Sequence, residues 1–315
     1  MPHRGTLASL ATAVVVAALL LVSCAPVPDP PYEIFDIPDG EITLAFAVAS
    51  DMREFAGDDP RYFRGAAERL RDGGPGAFMV SAGDIDPPAV VHETLTTYVA
   101  ADYGWFPVVG NHEAETPADM DFIRAFDPGG AYVPENLRPG PVGAESTTYS
   151  FDAGGIHFVI LNEYFDGISD TGTDGDIPDA TYNWLVSDLE SRTEEIALVF
   201  GHEPAYVLPD ADTGRLRHED DSLNLYPANR DRFWDALEAA GVTAYICGHT
   251  HNYSVQKFGS VWQVDSGHAR GLGDTGAPST FLMLYATTTG ELWLYPYRTD
   301  AETNVYELAL PVQLH

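Results

Sequence analysis

Seven polar residues stand just beyond the ends of short apolar runs in this 315-residue chain. Residues 42–49 run into Ser50-Asp51-Met52-Arg53, and residues 77–81 lead to Gly83-Asp84-Ile85-Asp86. Residues 106–109 precede Gly110-Asn111-His112-Glu113, residues 196–200 precede Gly201-His202-Glu203-Pro204, and residues 244–247 precede Gly248-His249-Thr250-His251. Carboxylate, imidazole and amide oxygen together suit Mn, Fe or Zn, and no thiolate stands among them to call for a softer ion. A carboxylate shared between two ions offsets their repulsion, a role open to Asp84. Paired ions roughly 3.5–4 Å apart can hold an attacking hydroxide and the leaving oxygen of an in-line displacement. The glycine that opens four of the five motifs is expected to supply conformational freedom where a strand turns sharply into a loop.

Such residues meet only if the intervening elements bring them to one edge. The apolar, β-branched runs alternate with helical patterns over residues 61–71, 90–101 and 230–240 and around Trp184, Leu185 and Leu189. Residues 147–152 and 156–161, separated by Gly154-Gly155, predict an antiparallel hairpin. Beyond Tyr253 the pattern becomes all-β, through residues 261–264, 281–285 and 291–295. An alternating α/β body with antiparallel strands at its end predicts one domain over residues 41–315, two sheets face to face with helices outside. In open α/β sheets ligands bind at the carboxyl ends of the strands, where all five motifs fall.

Taken in order, Asp-x-x, Gly-Asp, Gly-Asn-His-Glu, Gly-His and Gly-His-x-His resemble the calcineurin-like metallophosphoesterase superfamily, which includes the purple acid phosphatases. The resemblance spans about residues 42–251 and implies an α/β fold, a four-layer α/β/β/α sandwich of two mixed β-sheets flanked by helices. It implies one metal held by Asp51, Asp84 and His251 and a second held by Asp84, Asn111, His202 and His249. His112 would steady the phosphate and protonate the departing alkoxide, a task suited to an imidazole whose ordinary pKa lies near neutrality. The implied activity is hydrolysis of a phosphomonoester or phosphodiester by a metal-bound hydroxide, on a small phosphoester substrate. One departure weakens the first metal position. The family's first motif is usually Asp-x-His, and here Arg53, which has no lone pair to donate, replaces that histidine. Purple acid phosphatases supply instead a tyrosine three residues after the Gly-Asp aspartate, where this chain has Pro87. Asp86 is a candidate extra ligand. Arg53 and His268 are candidate substrate contacts, and Arg53 is alternatively a partner for Asp86. The competing function is a phosphoesterase-fold lipoprotein that binds without turnover. No Gly-x-Ser-x-Gly elbow supports a serine hydrolase.

At the amino end, Arg4 precedes an apolar and small-residue run over residues 7–22, the order of a secretory signal and short for a membrane span. Leu21-Val22-Ser23-Cys24 resembles a bacterial lipobox, which implies a signal peptide over residues 1–23, lipidation of Cys24 and a Pro-rich tether over residues 24–40. The expected location is outside the cytoplasm, lipid-anchored to the cell membrane. Cys247, the second of two cysteines, is then left without a disulfide partner, and its apolar neighbours predict a buried residue without chemistry. The 48 Asp and Glu against 16 Lys and Arg give a net charge of -32, which excludes a general nucleic-acid binder. Lys257 is the single lysine. Such a surface suits concentrated salt, and GC-rich base composition is the alternative source. His3, His92, His157, His218 and His315 are expected in ordinary surface or core roles, and Asp170, Asp174 and Asp176 in a solvated loop rather than a calcium loop.

Overall fold

A computed structural model describes residues 35–299 and 305–315, so the signal segment and Cys24 lie outside the described residues. In chain order the main elements are β1 (Ile42–Ala49), α1 (Phe63–Gly73), β2 (Phe78–Ser81), α2 (Pro88–Tyr98), β3 (Gly104–Pro107), α3 (Asn111–Glu115) and α4 (Pro117–Ala125). They continue with β4 (Glu135–Pro139), β5 (Tyr149–Ala153), β6 (Ile156–Ile160), α5 (Asp179–Ser191), β7 (Ile196–Phe200), α6 (Pro227–Ala240) and β8 (Ala244–Cys247). The last part is β9 (Tyr253–Phe258), β10 (Val261–Ser266), β11 (Ser279–Thr287), β12 (Leu292–Thr299), β13 (Glu307–Leu308) and β14 (Val312–Gln313).

Two seven-stranded sheets result, one in the order β13-β12-β11-β1-β2-β3 with β14 beside β12, the other β4-β5-β6-β7-β8-β10-β9. Both are mixed. Parallel β1, β2 and β3 adjoin antiparallel β11 in the first sheet, and parallel β6, β7, β8 and β10 lie between antiparallel β5 and β9 in the second.

The central strands read as continuous apolar runs because both of their faces are covered. From β1, Leu44, Phe46 and Val48 point between the sheets, while Ala47 and Ala49 pack against Ala66, Ala67 and Leu70 of α1 and Val91 and Leu95 of α2. From β7, Ile196, Leu198 and Phe200 point inward, and Ala197 and Val199 meet Leu185 and Leu189 of α5 and Phe233 and Leu237 of α6. Helix layer, sheet, sheet, helix layer is thus written in the two faces of single strands. Between the sheets the Phe158 ring lies 5.1 Å from Phe46, 5.6 Å from Phe78 and 4.8 Å from Phe151, centroid to centroid.

Helix starts follow local chemistry, with Pro88, Pro117 and Pro227 at first helical positions where the missing N–H has no partner to lose. Helix α6 ends on Gly241 in the left-handed region, φ 66°, with its N–H on the Leu237 and Glu238 carbonyls. Packing reaches back to Phe35, upstream of residue 41, where the ring meets Tyr297 at 4.2 Å and the backbone N–H bonds Gly73. Besides the short α3, β13 and β14, three elements fall outside the sequence expectation. Edge strand β4, with its largely exposed Glu-Asn-Leu-Arg-Pro, has no buried face to mark it, α4 is one short amphipathic stretch, and β9 is a half-exposed edge.

Candidate metal centre

All five motifs emerge at the carboxyl ends of the parallel strands: Asp51 after β1, Asp84 after β2, Asn111 and His112 opening α3 after β3, His202 after β7, His249 and His251 after β8. The first three strands belong to one sheet and the last two to the other, so the site closes across both. One ligand atom from each of Asp51, Asp84 and His202 falls within 4.8 Å of the others, and all three residues are buried. His202 Nε2 lies 3.3 Å from Asp84 Oδ1, and His251 Nε2 lies 3.4 Å from Asp51 Oδ1. The His249 backbone N–H donates to Asp51 Oδ2 at 3.0 Å, and that of His112 to Asp84 Oδ1 at 3.2 Å. The His112 ring reaches over the site with Nε2 3.6 Å from Asp84 Oδ2 and keeps 26% of its side chain exposed.

Three buried acceptors here have no hydrogen-bond partner: Asp51 Oδ1, Asn111 Oδ1 and His202 Nε2. His202 Nδ1 donates to the Ala82 carbonyl at 2.8 Å, which leaves the Nε2 lone pair facing Asp84. A buried acceptor without a donor costs about 1–3 kcal/mol, so three at one sheet edge, two of them convergent, call for a positive partner. Burial raises the Asp51 pKa, but His251, His202 and Arg270 outweigh it and hold the carboxylate at about 2. Burial and the Asp51 charge push the Asp84 pKa well up. Burial, helped by His202 and His218, pushes the His249 pKa well down, and so keeps its ring in the neutral, ligating form.

The backbone strain sits on the ligands themselves. Among the described residues only seven other than glycine have positive φ, and Asp51 (52°), Asp84 (52°), His249 (69°) and His251 (60°) are four of them. Each such residue costs of order 1–3 kcal/mol and persists only where the surroundings dictate it. The motif glycines do something other than the expected release of the chain. A Cβ on Gly110 would stand 2.3 Å from the Asp84 nitrogen, on Gly201 2.4 Å from Glu163 Oε1, and on Gly248 2.6 Å from Asp51 Oδ2. Of the four, only Gly83 has positive φ, 85°, and its Cβ would also strike His202 Nδ1 at 2.3 Å. These glycines are gaps through which neighbouring loops approach.

Two buried glutamates tie those loops together. Glu113 accepts the backbone N–H groups of Asp84 at 3.0 Å, Ile85 at 2.8 Å and Gly110 at 2.8 Å. Glu163 accepts those of His202 at 2.8 Å and Glu203 at 2.7 Å, together with the Tyr245 hydroxyl at 2.5 Å. Glu113 was visible as the last letter of its motif, whereas nothing around Glu163 in sequence signals its role. His218, expected in an ordinary role, is instead part of the rim: its φ is 56°, its ring lies 4.2 Å from that of His249, and Nδ1 is 3.2 Å from Asp221 Oδ2. His249 Nε2 donates to the Asp221 carbonyl at 2.6 Å.

Arg53 pairs with Asp86, Nε to Oδ1 at 3.2 Å, and turns Nη1 onto His112 Nε2 at the rim. His268 does not fit the expected substrate contact. It is fully buried, with Nε2 3.1 Å from the Ala277 carbonyl and Nδ1 accepting the Arg270 N–H at 3.4 Å, so its ring has no open nitrogen. Asp170 is bound to Arg124 and Asp176 to Asn229, with no convergence of a calcium loop. Arg270, which carries no sequence motif, reaches the site from beyond β10: its Nε donates to the Asp51 carbonyl oxygen at 2.8 Å and its Nη2 to His251 Nε2 at 3.0 Å. On the far side of that ring Nδ1 is 2.9 Å from Asp274 Oδ2.

Comparison with known proteins agrees with this geometry. The family model described as calcineurin-like phosphoesterase matches residues 44–253, about two thirds of the chain and every motif above. The chain belongs to the calcineurin-like phosphoesterase family. Purple acid phosphatase 22 of Arabidopsis thaliana is 27% identical over 164 residues, a match covering 50% of this chain and 33% of that protein. The chain therefore matches about a third of that relative's length. Among solved structures, PhoD superposes with TM-score 0.55 at 12% identity, covering 88% of this chain and 71% of its own. GAP50, the anchor in the inner membrane complex of Plasmodium, gives TM-score 0.52 at 12% identity over 86% of this chain and 88% of its own. These two share the fold.

The family is metal-dependent, and the Asp and His clusters here are candidate ligand sets for it. Asp84 and His202 fall in one group of convergent ligand atoms with Asp51, and His249 falls in another with His218 and Asp221, its ring 5.1 Å from that of His202; the donor types of Asp84, Asn111, His202 and His249 suit the expected second ion. His202 Nε2 and Asn111 Oδ1 lack donors there, and His249 has its proton on Nε2, which leaves Nδ1 with a lone pair. The position of Asp51 and His251 is different, because arginines stand at both His251 nitrogens, Arg270 Nη2 3.0 Å from Nε2 and Arg217 beside Asp274 at Nδ1.

Proposed function

We propose that the protein is an exported, metal-dependent hydrolase of phosphoric esters acting on a small phosphomonoester or phosphodiester. Family membership supports a phosphoesterase, and the unpaired acceptors Asp51 Oδ1, Asn111 Oδ1 and His202 Nε2 at one sheet edge carry the reading. A transition metal ion held by Asp84, Asn111, His202 and His249, of the Mn, Fe or Zn type, supplies Lewis acidity toward the phosphoryl oxygens and acidifies water. Arg53, with 24% of its side chain exposed at the rim, offers N–H donors to a non-bridging oxygen. His112 delivers the proton to the departing alkoxide once Arg53, which donates to its Nε2, turns to the phosphate and frees that nitrogen to carry a proton. Burial and then Arg53 hold the His112 pKa down at about 4, and a phosphate anion entering beside the ring works in the opposite direction.

The amino end supports a location for this activity. Arg4, the apolar run over residues 7–22 and Cys24 support export, lipid attachment at Cys24 and a domain tethered to the outer side of a membrane, its substrate arriving from solution. A second reading, a phosphoesterase-fold lipoprotein that binds without turnover, is favoured by Arg53 in the place of the usual histidine. Release of nitrophenol from a chromogenic monoester and diester, with Mn, Fe or Zn added in turn, separates the two. The enzyme reading predicts turnover that falls by about 10²–10⁴ in His112→Ala. No turnover with any of the three ions refutes it and leaves the binding reading.

A further inference from the structure

We propose that the Arg270 guanidinium takes the place of the first metal ion, so that the centre works with one ion and one fixed cation. The inference deepens the proposed function and rests on its metal dependence. Its basis is the state of each lone pair at the two halves of the site.

An imidazole carries one proton and one lone pair when neutral. His251 has arginines at both nitrogens, Arg270 at Nε2 and Arg217 at Nδ1, but Nδ1 also faces Asp274 Oδ2 at 2.9 Å, a carboxylate that only accepts and that pairs with Arg217 itself, so Nδ1 is the nitrogen with an acceptor for a proton. The remaining lone pair, on Nε2, is the one a metal would need, and Arg270 Nη2 stands 3.0 Å from it. A guanidinium stays protonated and only donates, so this contact uses that lone pair. Arg270 is not a stray surface chain. It is 7% exposed, its Nε is fixed on the Asp51 carbonyl at 2.8 Å, and its own N–H is fixed on His268. The guanidinium also lies 5.7 Å from the Phe55 ring centroid, and it compensates Asp51 electrostatically. His268 thus has a use after all, as the buried acceptor that sets the Arg270 backbone.

Asp274 is itself fixed, with Oδ1 2.8 Å from Arg215 Nη1 and Oδ2 3.3 Å from Arg217 Nη1. Arg53, where the family's histidine would stand, adds another cation on this side. An ion bound by Asp51 and His251 would therefore have to displace a buried guanidinium held by two hydrogen bonds and share its space with like charge. In the first half Asp51 Oδ1 also lacks a donor, but no guanidinium stands at the ligand nitrogen of the other half, where His202 Nε2 and Asn111 Oδ1 have no donor at all.

The test counts ions, not turnover. Full-length protein is stripped with a chelator, reloaded with Mn(II) and freed of excess, and bound manganese is measured by elemental analysis and by electron paramagnetic resonance. The expected result is one Mn(II) per chain with the spectrum of an isolated ion. His251→Ala should keep that ion and His202→Ala should lose it. Arg270→Ala should open the first position, raising the count to two with an exchange-coupled spectrum. Two ions or a coupled pair in the unmodified protein overturns the proposal, as does loss of the ion in His251→Ala or a count that stays at one in a folded Arg270→Ala. If Arg270→Ala does not fold, the His251→Ala count decides alone. No bound ion in the unmodified protein overturns the metal-dependent function as well.

Discussion

Gly201→Ala is the substitution whose sign the structure decides most sharply. Gly201 joins β7 to His202, and its φ is not in the left-handed region, so alanine meets no backbone objection there. On an exposed compatible turn, such a change stabilises by about 0.4–1 kcal/mol through the unfolded chain. Here the new Cβ would stand 2.4 Å from Glu163 Oε1, 2.4 Å from the Tyr245 hydroxyl and 2.7 Å from Glu163 Cδ. Both neighbours are fully buried. Ordinary contact begins near 3.5 Å, so the carboxylate must retreat by ~1 Å. It then cannot hold the His202 and Glu203 N–H groups at 2.8 and 2.7 Å. Overpacking costs about 1–3 kcal/mol and a lost bond to a charged acceptor about 1.5–3, which sum to about 2.5–6 kcal/mol with one bond lost. That is a large share of the roughly 5–15 kcal/mol of a typical fold. Equilibrium urea denaturation followed by tryptophan fluorescence measures it. A Gly201→Ala protein as stable as the parent, or more stable, would refute the close-approach account of the motif glycines.

Other substitutions probe separate parts of the account. Glu113→Gln turns one accepting oxygen into a donor among three backbone N–H groups, which should cost about 1–3 kcal/mol in urea unfolding and weaken ion binding about 10–100-fold in calorimetric titration. His157 lies between Asp152 at 2.7 Å and Asp188 at 2.9 Å, and although burial opposes its charge, the two carboxylates raise its pKa overall. Its stabilising contribution is therefore complete below the unfolded value of about 6.5 and is lost as pH rises through the raised folded value. The stability gap between the parent and His157→Gln should shrink with rising pH, and a constant or widening gap in thermal melts would contradict this. Phe158→Ala, in the aromatic layer between the sheets, should cost about 3–5 kcal/mol, read by denaturant midpoint.

The four-layer architecture was legible because strands such as β1 and β7 are apolar on both faces, and only a sheet covered on each side needs that. The motifs were legible because each follows such a strand directly. The supporting groups were not. Glu163, Arg270 and Asp274 come from a loop after β6 and the segment after β10, and they converge on the site only through the crossing of two sheets. Their types match no local spacing, since what selects them is a backbone N–H or an imidazole contributed by another loop. Edge strand β4 was hidden for the opposite reason, having no buried face for its sequence to record. The glycines were visible, but their reason was not, because a close approach belongs to the partner loop as much as to the glycine.

The net charge of -32 sets the electrostatic problem that the site must solve for an anionic substrate. With Asp51 and Asp84 at its floor, only a bound cation and the arginines at its edge can reverse the local potential. The most direct test is phosphate release by chelator-stripped protein before and after Mn is restored, with Asp84→Asn run in parallel. Stripped protein should release none, reloaded protein should release phosphate, and Asp84→Asn should release none in either state. Equal release from stripped and reloaded protein, or full activity in Asp84→Asn, would contradict it.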